Sequence, residues 1–231
     1  MAGAMLSADH HRQIMEAVAA AEAKTRGEIA CILAQEVSAY PETTIAWAAG
    51  AALVLPPLGL FIGLRPDVID AALGGWSVAH PAAGSGLMEM LGGYAIAQGV
   101  IFGVVAALLT FMPKLRRALT PPAVKRRRVK LMALQHFLAM GVHQDESRTG
   151  VLIFAALGEH QVEIVADKAI HEKVGQTAWN EAAGAVVAGM RGGEPGEGFV
   201  RAVQICGAAL ATHYPSRGKK ANALPDRLVE L

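Results

Sequence analysis

Three carboxylates, Glu28, Asp145 and Asp167, are the residues of this chain best suited by type to hold a hard cation. Glu28 opens an apolar strand-like run, Asp145 lies a few residues before a second run, and Asp167 follows a third. Calcium and magnesium prefer oxygen ligands, so carboxylates that meet near strand ends are candidates for a divalent-cation site. We predict no metal site, no cofactor and no catalytic residue, and keep these three carboxylates only as candidates for calcium or another divalent cation.

Histidine patterns elsewhere are a poorer match to metal chemistry. His171 is followed by glutamate, as in a zinc-protease helix, but Gly175 occupies the position of the second histidine ligand. His136 and His143 with Asp145 would make a small cluster, and we interpret them instead as solvated surface residues. A zinc site is therefore not predicted.

The two cysteines, Cys31 and Cys206, lack the spacing of metal ligands. Cys31 lies inside an apolar run, which predicts a buried thiol. A disulfide is not expected if both residues are on the cytosolic side of a membrane.

Apolar residues are concentrated in one part of the chain. Hydrophobic residues make up 53% of the 231 residues and charged residues only 18%. No charged residue occurs in 43–64 or in 90–113, and each run exceeds the roughly 20 apolar residues that span a bilayer. We predict two transmembrane helices at these positions, joined by an external loop at 65–89.

Small residues and prolines suggest how the two predicted helices pack. Pro56 and Pro57 predict a kink in the first helix. Small residues at four-residue spacing permit close helix approach in lipid, and the second helix carries such a face: Ala95, Gly99, Gly103 and Ala107. A tight antiparallel hairpin is favoured, with a homo-oligomer as the alternative use of this face.

A basic cluster follows the second apolar run and indicates the orientation. It consists of Lys114, Arg116, Arg117, Lys125, Arg126, Arg127, Arg128 and Lys130. Positive charge stays on the cytoplasmic side, which predicts that both termini are cytoplasmic. Because no aromatic residue interleaves with the charges, contact with anionic lipid explains the cluster better than nucleic acid does.

The remaining sequence predicts a soluble domain divided by the membrane segments, from residues 1–42 and 114–215, with a C-terminal tail at 216–231. The first part offers only a helix capped by Ser7 and a strand at 28–34, which cannot form a core alone. The second part supplies the missing elements: a helix at 121–141, strands at 150–157 and 160–166, a helix at 170–190, a loop at 192–198 and a helix at 199–214. The apolar end of the tail suggests docking on the domain or on a partner.

Four phrases in this order resemble the TPM domain family, which includes a thylakoid acid phosphatase and many bacterial membrane proteins. They are Glu22–Ile29, Thr149–Phe154, Val162–Ile170 and Gly198–Val203. The resemblance implies an α/β domain with a small mixed sheet sandwiched by helices, here with a transmembrane hairpin inserted after the first strand.

The resemblance also implies what this chain lacks. Phosphatase-like members carry acidic residues in an Asp-Asp-Gly pattern before the second strand, where this chain has Arg148-Thr149-Gly150. A Gly-x-Gly turn that is common after the third strand is replaced by a segment beginning at Asp167. Both departures argue against a working cation and phosphate site.

We therefore expect a non-enzymatic interaction or scaffold protein of the bacterial inner membrane, whose cytoplasmic domain binds another membrane protein. The family often occurs beside LemA-type membrane proteins, which makes such a protein the expected partner besides the lipid bilayer. The alternative is a metal-dependent acid phosphatase. Transport is disfavoured because neither predicted span carries an ionisable residue.

Overall fold

The computed structural model describes residues 6–62, 86–141, 149–216 and 228–231. The chain divides into two compact units, one formed by Met1–Ser38 with Pro121–Leu231 and the other by Ala39–Thr120. Asp145, Arg148 and most of the predicted external loop lie outside the described residues.

The described residues form eight helices and four strands. In chain order they are α1 (Ala8–Glu22), β1 (Glu28–Ala34), α2 (Pro41–Phe61), α3 (Gly86–Phe111), α4 (Pro113–Leu119), α5 (Pro122–Ala139), β2 (Gly150–Ala156), β3 (Gln161–Ala166), α6 (Lys168–Val174), α7 (Gln176–Gly192), α8 (Pro195–His213) and β4 (Leu228–Glu230). Ser7 caps α1 as predicted, since its hydroxyl oxygen accepts a hydrogen bond from the amide of His10.

The first unit is built on a mixed sheet with the strand order β3-β2-β1-β4. β1 runs parallel to β2 in a register that opposes Glu28 and Gly150, which confirms that the strand before the apolar segments pairs with the strand after them. β2 and β3 form the predicted antiparallel hairpin. β4 is parallel to β1 and places the apolar end of the tail on the sheet.

Helices cover both faces of this sheet. Every residue of β1 and of β2 is buried, as expected for strands whose two faces are both covered. One face packs against α1, α6, α7 and α8, and the other against Val129, Ala133 and Phe137 of α5. The sandwiched arrangement explains why both strands are continuous apolar runs.

The helix predicted at 170–190 is interrupted in the structure. Gly175 has a φ of +77° and separates α6 from α7. Glycine adopts this conformation without the steric cost that a side chain adds. The apolar spacing continues across the break, which is why periodicity alone predicted one helix.

The predicted loop at 192–198 is mostly helical. α7 ends at Gly192 with Gly193 in the left-handed conformation, and α8 begins at Pro195. Gly198 allows close helix contact, because a Cβ there would lie 3.0 Å from the carbonyl oxygen of Ala185 and 3.1 Å from the Cα of Gly189. The glycine-rich composition therefore marks close packing of α7 against α8.

The second unit contains α2, α3 and α4. Among the described helices, only α3, over Leu91–Phe111, is long and apolar enough by composition to span a membrane, with a mean hydropathy of 2.0. α2 extends over 21 residues and contains Pro56 and Pro57, and it does not meet the same criterion. The two helices contact each other within the unit.

The predicted small-residue face of α3 lies away from this contact. Ala95, Gly99, Gly103 and Ala107 are exposed, and a Cβ on either glycine would meet nothing within 4 Å. Between residues 91 and 111 of α3, Leu109 is buried, and it follows partly buried side chains at helical spacing on another face. Ala48 and Ala52 of α2 are buried, at 0% and 7% exposure.

Candidate functional site

Two of the three candidate carboxylates lie at one end of the sheet, where β1 and β2 begin and β3 ends. Glu28 is opposite Gly150 and only 2% exposed. Asp167 brackets the same glycine, since its amide donates to the Gly150 carbonyl at 3.1 Å and its Oδ2 accepts from the Gly150 amide at 3.1 Å. We call Glu28, Gly150 and Asp167 the strand entrance.

The geometry gives Asp167 a structural role. Oδ2 of Asp167 accepts a hydrogen bond from the first amide of β2. In a cation site, this bond would compete with metal ligation. The third candidate, Asp145, lies outside the described residues. Within the parts of the chain that the structure describes, no three His, Cys, Asp or Glu residues are grouped so that they could hold a metal ion.

Hydrogen bonds join the strand entrance to the end of α8. The hydroxyl of Thr25 donates to the carbonyl of Tyr214 at 2.7 Å, and the hydroxyl of Thr149 donates to the carbonyl of Arg26 at 3.1 Å. The phenol of Tyr214 donates to the carbonyl of Ala169 at 2.8 Å. These bonds connect the starts of β1 and β2 to α6 and α8, and so position the strand entrance.

Two positively charged side chains, Arg26 and Lys173, lie over the Tyr214 ring near the strand entrance. The Arg26 guanidinium lies 5.9 Å from the ring centroid and the Lys173 ammonium 5.0 Å from it, both within the range of cation–π attraction. Sequence reasoning did not identify Tyr214 or Lys173, because each is far in sequence from Arg26 and neither lies in a periodic motif.

The histidines are separated in the structure. His136 on α5 stacks on Phe154 of β2 with ring centroids 6.0 Å apart. His171 lies in α6, and His143 is outside the described residues. His136 is therefore half-buried against the sheet and not the solvated surface residue that we predicted, because its ring stacks on Phe154.

Both cysteines are free and buried in the same core cluster. Burial raises the pKa of the Cys206 thiol to about 12. The pKa of the Cys31 thiol is raised further, first by burial and then by the nearby Cys206 and Glu22. Since the thiolate is the reactive form, neither residue is suited to nucleophilic chemistry at neutral pH.

The predicted basic cluster is divided between two helices. Lys114, Arg116 and Arg117 belong to α4 in the second unit, whereas the other five residues belong to α5 in the first. Arg126, Arg127, Arg128 and Lys130 are exposed. Burial raises the pKa of Glu163 in β3, and the nearby positive charge of Lys130 offsets part of this increase.

The comparisons with known proteins concern the fold. No family model matches the chain, and no curated protein matches it. A solved structure, the NMR structure of BA42 protein from the psychrophilic bacterium Bizionia argentinensis, is similar with a TM-score of 0.55 and 16% identity, over 100% of this chain and 98% of that one. At this identity the similarity shows a shared fold and leaves the TPM resemblance as a sequence-based interpretation.

Proposed function

We propose that the protein is a non-enzymatic interaction module, anchored in a bacterial inner membrane by α2 and α3, whose TPM-like α/β unit binds another membrane protein from the cytoplasmic side. The observation that carries the proposal is the apolar surface of the second unit. Nine large side chains of α2 and α3 are more than half exposed: Ile45, Leu53, Val54, Phe61, Leu91, Ile96, Val100, Val104 and Phe111.

An apolar surface of this extent favours a lipid environment. Soluble monomers seldom expose contiguous apolar patches larger than a few hundred Å², and helices in lipid bury their backbone groups internally while presenting apolar side chains outward. α3 meets the length and hydropathy of a span. α2 has 21 residues, and its one charged residue, Glu42, lies in the first turn. We therefore propose that α2 also spans the membrane.

The orientation proposal gives a direct prediction. The external loop, at 65–89, has one Lys or Arg residue, whereas the segment 114–130 after α3 has eight. Positive residues beside a span are retained in the cytoplasm. Alkaline phosphatase fused after Ala79 is expected to be active in a bacterial host, and the same reporter fused after Leu231 inactive.

A green fluorescent reporter at the same two positions is the matched control, because it fluoresces only when it folds in the cytoplasm. It is expected to fluoresce at the C-terminus alone. The opposite pattern for both reporters would place the α/β unit outside.

The hydrogen bonds of the strand entrance support the non-enzymatic part of this proposal. Asp167 caps the backbone of β2, and the neighbouring hydroxyls bond to carbonyl groups, so the polar groups at this edge hold elements together. A phosphoryl-transfer site needs a cation or fixed charge and an activated nucleophile. A LemA-type membrane protein is the partner that the family resemblance suggests.

The interaction proposal predicts selective co-purification. The tagged full chain, extracted from native membranes in mild detergent, is expected to retain a membrane-protein partner in stoichiometric amount. A tagged segment of residues 39–120 is the control and is expected to lose it, because it lacks the α/β unit.

Equal recovery with both tagged chains would instead assign the binding to the apolar helices.

The alternative function, a metal-dependent phosphatase, is favoured by Glu28 and Asp167 lying beside the same glycine. Saturable, divalent-cation-dependent hydrolysis of p-nitrophenyl phosphate that Asp167→Asn abolishes would establish that alternative.

A further inference from the structure

The outer edge of β1 pairs with an added strand, β4, over a short, defined window. At the start of the strand, the amide of Ile29 donates to Oε1 of Glu22 at 2.7 Å, so a side chain caps the edge there. Further along, β4 pairs with Cys31, Ile32 and Leu33. The amide of Leu231 donates to the Leu33 carbonyl at 2.9 Å, and the amide of Gln35 donates to the Leu231 carbonyl at 2.8 Å. The edge therefore accepts an added strand between Cys31 and Gln35.

Two side chains of β4, Leu228 and Glu230, make specific contacts beside the β1 edge. Leu228 is 4% exposed and joins the core cluster that contains Leu6 and Leu33. Glu230, two residues later, places Oε1 3.0 Å from the amide of Leu6 and 3.0 Å from Nε2 of His11. An apolar pocket and a carboxylate-binding pair thus lie side by side along the edge, at the spacing of alternate residues on a strand.

The resident strand is short, with three residues paired to β1. So few ladder pairs stabilise a strand only weakly. Its occupancy is favoured because it is tethered, which gives a segment of the same chain an effective concentration of about millimolar. A partner segment displaces it when its contacts are better by enough to offset this concentration, or when the same membrane holds it at a comparable effective concentration.

We propose that the β1 edge from Cys31 to Gln35 is a peptide-binding site for an extended segment of a partner protein, added parallel to β1, that carries an apolar residue followed two positions later by a carboxylate. The C-terminal segment of the chain is the resident competitor. This inference rests on the proposed interaction function and deepens it, since it assigns the docking site and the chemistry of the ligand. Main-chain bonds supply affinity and alternate side chains supply specificity in this mode of recognition.

The test uses a fluorescent peptide with the sequence of residues 224–231 as the probe. The full chain in detergent is compared with the same chain ending at Ala223. The shortened chain is expected to bind the peptide saturably, and the full chain at least tenfold more weakly. A peptide with Leu228→Asp is expected not to bind, and one with Glu230→Gln to bind about tenfold more weakly, because a charge-assisted hydrogen bond is lost.

Absence of saturable binding to a shortened chain that still melts cooperatively would overturn the site. So would equal binding of the Leu228→Asp peptide. If the partner still co-purifies with the full chain in that case, the interaction function stands and only the site assignment fails.

A second measurement on the full chain does not depend on the truncation. Leu228 is opposite Cys31 in the register and shares its face of the sheet, whereas Val229 is opposite Ile32 and faces the other core cluster. Under copper–phenanthroline oxidation, Leu228→Cys is expected to form an intramolecular disulfide and Val229→Cys to remain reduced. If Leu228→Cys formed a covalent dimer, a second copy of the chain would occupy the β1 edge. If it formed no disulfide, the C-terminal segment would not lie at this edge. Either result would contradict the proposal.

Discussion

Gly189→Ala is expected to destabilise the α/β unit by about 3 kcal/mol, the upper range for overpacking a close contact. A Cβ on Gly189 would lie 2.6 Å from the Cα of Gly198 and 2.8 Å from the carbonyl oxygen of Glu194. Both are backbone atoms, so a side-chain rotation cannot relieve the clash and α7 must separate from α8. The free-energy change corresponds to a melting temperature lower by roughly 9 °C for a unit of this size, measured by circular dichroism on the full chain in detergent.

Gly184→Ala is the matched control on the same helix. A Cβ there would meet nothing within 4 Å, and alanine favours a helix by about 1 kcal/mol over glycine. The control is expected to melt at the same temperature or slightly higher. If both variants melt alike, the close contact of α7 and α8 is not present in solution.

A fragment of residues 121–231 is expected to lose cooperative unfolding altogether. It lacks β1, whose seven residues are all buried between β2 and β4, and it lacks Ile14 and Val18 of α1, both fully buried in the core. β2 would be left with an exposed apolar edge, and β4 would have no strand to pair with. Dye binding and thermal melting of the fragment measure this loss.

A fused chain that joins residues 1–38 to 121–231 through a flexible linker is the control, since it contains both segments of the first unit. It is expected to unfold in one cooperative transition. Cooperative melting of the 121–231 fragment by itself would show that β1 and α1 are dispensable, and would contradict a core shared between the two segments.

Local sequence was sufficient for three of the four strands that the structure describes and for most of its helices, whereas β4 was predicted only as an apolar segment that docks. The strands at Glu28–Ala34 and Gly150–Ala156 were predicted from short apolar runs, and their pairing followed because one helix and one strand cannot bury their apolar surface alone. The break at Gly175 was missed, because apolar spacing carries no information about a positive φ in an otherwise helical segment. The glycine-rich stretch before α8 was misjudged for a related reason, since glycine is common both in loops and at close helix contacts.

The sequence by itself determined the class of fold and the apolar character of the second unit, because periodicity, charge-free length and turn residues are local properties. Tertiary structure decided three further points. It placed Asp167 on the backbone of Gly150, it turned the small-residue face of α3 away from α2, and it brought Glu230 to His11 across more than two hundred residues. Each of these depends on which surfaces meet after the chain has closed, and the free energy of such contacts comes from packing and hydrogen bonds between residues that no local pattern connects.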